Sequence, residues 1–169
     1  MELNKAKLIA EEIKKRIAPY CKRIEIAGSV RRQKPDVGDI EICAIAPKRT
    51  IEFYETLRKM GAIRKGKFFT AKYLQMEIWE RLLFNDSNSD QIINLDLFFA
   101  VPENWGYIFA IRTGSADFSH HQLANRWVKL GYKGKDGFLT RNGVNIPVLE
   151  ETHLFKLLDI DFIEPKDRT

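Results

Sequence analysis

Two stretches of this 169-residue chain combine residue types at spacings that can do chemistry. Gly28-Ser29-Val30-Arg31-Arg32 is followed closely by Gly38-Asp39-Ile40-Glu41-Ile42. Side chains alternate along a strand, so Asp39 and Glu41 share one face, about 7 Å apart by strand rise. Ile40 and Ile42 take the opposite, inward face. Two carboxylates so placed can share hard divalent cations such as Mg²⁺. Gly28 and Ser29 offer a turn with free N–H groups and a hydroxyl, which suits a phosphate. Arg31 or Arg32 can neutralise the same polyphosphate. A third acid, Asp96, stands alone inside the apolar run from Ile93 to Phe99, where an unpaired charge is costly unless it meets a cation. Three acids on neighbouring strands are what two-metal phosphoryl transfer requires. A plainer reading fits the same residues. Alternating acid and isoleucine describes any strand with one wet face, an aspartate can end a strand, and paired arginines are often a solvated surface feature.

The elements that must position these groups are legible from periodicity. Leu3 to Ala18 predicts an amphipathic helix with Leu8, Ile9, Ile13 and Ile17 on one face, stopped by Pro19. Ile24 to Ala27 and Asp39 to Ile45 read as strands on either side of the glycine turn. A helix is expected over Ile51 to Met60, ending at Gly61. Ala62 to Phe84 reads as extended, Asn85 to Gln91 as a polar loop, and the Asp96 strand follows. After Pro102 the pattern changes to helices over Trp105 to Arg112 and Phe118 to Leu130. Then come a hairpin about Asn142-Gly143 and a short helix over Glu151 to Leu158. The expected fold class is α+β: a mixed sheet flanked by helices over residues 1–101, then a small α+β lobe over 102–169.

Composition narrows the classes of partner. The formal charge of +5 and pI of about 9.2 favour a polyanion without requiring one. No apolar run approaches the roughly 18 residues of a membrane span, and the N-terminus lacks an apolar signal core. Cys21 and Cys43 form no CxxC pair and read as reduced core residues of an intracellular, cytoplasmic protein, in a cell or a virus-infected one. His120 and His121, adjacent on a helix, face different directions and carry no metal expectation, and no Walker-type loop occurs. With no heptad pattern, a monomer is expected.

Together, Gly-Ser-x-Arg-Arg, Gly-Asp-x-Glu, the later Asp strand, Thr113-Gly114-Ser115 and the tail Glu164-Pro165-Lys166-Asp167-Arg168 resemble the family X DNA polymerases. The resemblance spans nearly the whole chain, as a nucleotidyltransferase-fold palm followed by a thumb, and is similar to the minimal viral members. It implies that Asp39, Glu41 and Asp96 are catalytic and hold two Mg²⁺ ions, for which Mn²⁺ can substitute. Asp96 is then the acceptor of the primer hydroxyl's proton. It implies nucleotide contacts from Gly28, Ser29, Arg32, Gly38, Ile111, Arg112, Thr113, Gly114, Ser115 and Ser119. The implied activity is templated addition of a dNTP to a DNA primer, filling short gaps in repair. Departures are specific. Glu41 stands where the family usually has aspartate, and Ile111-Arg112 replaces its Tyr-Phe pair. On an ungapped alignment, Ala116, Ser119 and Leu123 replace an aspartate, an asparagine and an arginine.

These 169 residues leave no room before the first helix for the family's lyase domain and show no helix-hairpin-helix segment, so the expectation is that basic clusters grip DNA. Candidates are Lys5, Lys14, Lys15 and Arg16 on the first helix, Arg64 to Lys72 (with Lys67 and Lys72), and Arg126, Lys129, Lys133 and Lys135. Two alternatives stand beside the polymerase. One is a template-independent or non-DNA nucleotidyltransferase acting on a tRNA end, protein or small molecule. The other is a non-catalytic nucleic-acid-binding module.

Overall fold

A computed structural model describes every residue except Arg49 and Ala71, with the side chains of residues 66–70 also outside the description. The chain is α+β. Helix α1 (Leu3–Ile17) leads into strand β1 (Arg23–Ile26), the single helical turn α2 (Gly28–Arg31) and strand β2 (Ile40–Ile45). Helix α3 (Ile51–Lys59) precedes β3 (Ala62–Thr70), β4 (Tyr73–Trp79), the short α4 (Glu80–Phe84) and β5 (Ile92–Phe99). These strands form one mixed sheet in the order β1-β2-β5-β4-β3, antiparallel except for the central β2–β5 pair.

Strand alternation divides this sheet into two faces with different duties. Ile40, Ile42 and Ala44 of β2, with Ile93, Leu95 and Leu97 of β5, pack in one core with Ile9, Ile13 and Ile17 of α1 and Phe53 and Leu57 of α3. Each fully buried isoleucine there contributes about 2–3 kcal/mol. The intervening residues face the other way. Cys43, Ile45 and Phe98 form a separate cluster with Trp105 and Phe109, and Glu41 and Asp96 share that second face. Leu8 departs from the expected helix face: it is 69 % exposed, and Ala6 and Ala10 take the inner positions with Ile9 and Ile13.

The C-terminal lobe begins with α5 (Trp105–Thr113). It continues through a helical segment containing α6 (Asn125–Lys129), a three-stranded antiparallel sheet β6 (Lys133–Lys135), β7 (Phe138–Arg141) and β8 (Val144–Ile146), and α7 (Glu151–Leu157). Its own core gathers Phe118, Leu123, Trp127, Leu154 and Phe155. Among the described residues no helix is long and apolar enough to cross a membrane.

Three sequence expectations need correction. Ala62 to Phe84 is not extended throughout, because Glu80–Phe84 turns helical and ends at Asn85 in the left-handed conformation. The helix expected over Phe118 to Leu130 opens as a π-helix over Phe118–Ala124 before α6 begins. Phe118 and Leu123, five residues apart, are both buried, and the wider turn keeps them on one side. The hairpin gains a strand, since Asp136 and Gly137 make a second turn with positive φ at both positions, like Asn142 and Gly143.

Candidate active site

Register brings the acids together. Glu41 on β2 is the direct partner of Asp96 on the neighbouring parallel strand β5, and Asp39 lies just before β2. All three are half-buried. Burial pushes the Glu41 carboxyl up to about 7, with Asp39 and Asp96 adding to the rise and Arg32 and Arg112 opposing it. Burial also raises Asp96, helped by Asp39 and opposed by hydrogen bonds from Tyr73 and Gln75. The Tyr73 hydroxyl donates to Asp96 Oδ1 at 2.9 Å.

Gly28 sets the other wall. Its φ of +58° lies in the left-handed region, and a Cβ there would run into the Glu41 carboxyl. Glycine is thus what lets the turn close over the acid. Ser29 Oγ and Arg32 Nε, both on this turn, are buried without a hydrogen-bond partner among the described residues. Buried polar atoms are nearly always satisfied, so two such orphans mark a place where an anion fits. Arg32, Glu41, Arg112, Ser115 and Ser119 line a cavity of about 280 Å³ beside it.

The two arginines separate. Arg31 forks onto Glu151 (Nη1 to Oε1 at 2.8 Å, Nη2 to Oε2 at 2.6 Å) and donates to Thr113 Oγ1 at 2.5 Å. Arg168, wholly buried, donates to Glu151 Oε1 at 2.6 Å from the other direction. Arg31 is therefore committed to the lobe junction, and Arg32 is the one at the cavity. Arg32 Nη1 donates to the Thr113 carbonyl at 2.7 Å.

The remaining expected nucleotide contacts divide in the same way. Ile111, Arg112, Gly114, Ser115 and Ser119 border the cavity, with Ser119 Oγ donating to the Ile111 carbonyl at 2.9 Å. Thr113 does not face it: the residue is fully buried, and its hydroxyl and carbonyl hold Arg31 and Arg32. Gly38 is exposed in open space before Asp39. Leu123 is fully buried in the C-terminal core.

The basic clusters are only partly near the site. Lys14 and Lys15 ride on α1, which covers the sheet face opposite the acids, and Lys14 pairs with Glu25 at 3.0 Å. Lys5 and Arg16 are likewise engaged, by Glu80 and Glu12. A larger cavity of about 710 Å³ opens on α1 between Leu8 and Phe84, away from the acids. Lys72 reaches across to the Asp136 carbonyl at 2.6 Å. Arg126 is spent on the carbonyls of Leu158 and Asp159 at the end of α7. Lys129 is exposed, and Lys67 lies outside the described residues.

Sequence reasoning missed Tyr73, Gln75 and Glu151, and met Arg168 only as the end of the tail motif, without a structural role. Nothing local signals the first two, because only the β4–β5 register sets Gln75 opposite Asp96. Glu151 gives no local signal either, because its role depends on Arg31 across the lobes and on Arg168.

Asp39, Glu41 and Asp96 supply oxygen donors suited to a hard divalent cation. Among the described residues no three His, Cys, Asp or Glu groups are gathered into a ready-made cage. Asp96 is drawn towards Tyr73 and Gln75, while the charge of Asp39 raises both Glu41 and Asp96, and that of Asp96 raises Glu41. Like charges held this close on a half-buried face fit a cation that would relieve them. No protein-family model matches the chain, and no curated protein is significantly similar to it.

Proposed function

We propose that the protein is a nucleotidyltransferase, and specifically a small DNA-directed DNA polymerase of the family X kind that fills short gaps. The sheet lobe is its nucleotidyltransferase palm and the C-terminal lobe its thumb. One observation carries the reading: Glu41, in register with Asp96 and two residues after Asp39, lines a cavity together with Arg32, and the orphaned Ser29 hydroxyl lies on the same Gly28 turn as that arginine.

In this reading Arg32 and Ser29 bind the phosphates of an incoming dNTP, the arginine neutralising charge and the hydroxyl donating to an oxygen. Arg112, Ser115 and Ser119 border the rest of the nucleotide. Asp39, Glu41 and Asp96 would hold two Mg²⁺ ions, which when bound stabilise charge on the attacking and leaving oxygens. The primer 3′-oxygen forms a bond to the α-phosphorus as the bond to the bridging oxygen breaks and pyrophosphate leaves. Asp96, half-buried and raised in proton affinity, takes the hydroxyl proton.

The test is extension of a labelled primer on a one-nucleotide-gapped template with Mg²⁺ and four dNTPs. Templated addition is expected, with Asp96→Ala slower by roughly 10²–10³-fold or more, the scale of one lost electrostatic group. Undiminished addition by the variant, or none by the wild type, overturns the assignment. Untemplated addition transfers it to a terminal transferase.

A further inference from the structure

Tyr73 opens β4 and pairs in register with Phe98, two residues beyond Asp96 on β5. The two rings stack at 4.9 Å between centroids and 15° between planes. From the C-terminal lobe, Arg112 lays its guanidinium over the Phe98 ring, 4.0 Å from the centroid. Arg112, Phe98 and Tyr73 thus form a continuous stack that ends in the hydroxyl bonded to Asp96 Oδ1.

The stack matters because an aspartate on a strand turns about two bonds, and a proton acceptor must present one oxygen in one direction. A tyrosine ring held in a stack has little rotational freedom of its own. Its hydroxyl therefore fixes the orientation of the Asp96 carboxylate through Oδ1. Such supporting groups typically govern how well a reactive carboxylate is aimed. A hydroxyl that merely found a partner would need no stack behind it, nor a cation from the other lobe closing that stack.

We propose that Tyr73 is a positioning residue for Asp96, and that the Arg112–Phe98 stack holds Tyr73 in place across the lobe boundary. The inference rests on the nucleotidyl-transfer reading of the site. Gln75 on the same strand assists from directly opposite Asp96, and the charged groups facing the acid are Asp39, Glu41 and Arg112.

Tyr73→Phe keeps the ring and removes the hydroxyl. In single-nucleotide gap filling, kcat should fall about tenfold, with KM for dNTP within about twofold. Mn²⁺ titrated into the nucleotide-free protein and followed by electron paramagnetic resonance should bind several-fold more weakly. Phe98→Leu, which keeps the hydroxyl but removes its support, should shift both quantities the same way by less. A Tyr73→Phe protein equal to wild type in kcat and Mn²⁺ affinity overturns the proposal. So does a loss shared by kcat and KM with a lowered melting temperature, which marks a purely structural role. If the wild type transfers no nucleotide, the polymerase reading fails and the Mn²⁺ titration alone decides: equal affinity overturns positioning, and weaker binding by Tyr73→Phe sustains it.

Discussion

A Cβ placed on Gly28 would lie 2.6 Å from the carboxyl carbon of Glu41. Turn and acid are therefore fitted to each other, and the backbone conformation at Gly28, with its φ of +58°, disfavours other residues for a second reason. Gly28→Ala should lower unfolding stability by about 1–3 kcal/mol in urea titrations. It should also displace Glu41 and weaken Mn²⁺ binding, whereas Gly38→Ala, with open space around it, should do neither. Normal Mn²⁺ affinity in Gly28→Ala would contradict this fit.

Glu151 is held between Arg31 and Arg168 with only 8 % of its side chain exposed. Removing it leaves two guanidinium groups facing each other without a counter-charge. Glu151→Ala should cost about 3–5 kcal/mol by chemical denaturation, the range for breaking a buried pair. Arg168→Met, which removes one buried cation along with its unpartnered Nη2, should cost clearly less. Equal losses in the two variants would show that packing, not charge, dominates this junction.

Glu41 gives the metal-free protein a defined response to pH. Its folded-state value of about 7 stands above the ordinary 4.5 because burial, then Asp39, disfavours ionisation. The folded state binds that proton more tightly than the unfolded chain does. Stability from this group is therefore fully present below about 4.5, declines as pH rises through about 7, and levels beyond it. With a chelator present, the melting temperature should fall between pH 5 and 8, and Glu41→Gln should flatten the fall. Mg²⁺ should restore the wild type at pH 8 more than the variant. Identical pH slopes in both proteins would exclude Glu41 as the source.

The basic clusters should behave differently by face. Lys14→Glu with Lys15→Glu, on the helix-covered side, should leave affinity for gapped DNA unchanged. Lys129→Glu with Lys133→Glu, both exposed on the C-terminal lobe, should weaken it. Each lost phosphate contact should reduce the salt slope of log K by about 1. Fluorescence anisotropy at several salt concentrations measures both, and the opposite ranking would move the DNA to the other side of the sheet.

What the sequence disclosed follows from the range of the interactions involved. The alternation at Asp39 to Ile42, the lone Asp96, the helix stops and the Asn142-Gly143 turn are local, and each is where periodicity places it. The division of labour between Arg31 and Arg32 was not readable, because it depends on Glu151 and Thr113, far along the chain. Tyr73 and Gln75 were hidden for a related reason: an antiparallel register cannot be inferred from either strand alone. The π-helical turn escaped because a four-residue and a five-residue spacing of buried side chains look alike until the partners are known. The Asp136-Gly137 turn was an available signal, of the same kind as Asn142-Gly143, and defines the missed strand β6.

The parallel pairing of β2 with β5 also has a consequence for how the protein comes into being. An antiparallel hairpin forms from neighbours, but these two strands meet only after α3, β3, β4 and α4 have been threaded between them. Closing that loop costs chain entropy before any contact repays it. The Glu41–Asp96 pair therefore belongs to the slowest-forming part of the sheet. On the proposed metal-binding reading, a refolding chain should regain helical signal first and Mn²⁺ binding last.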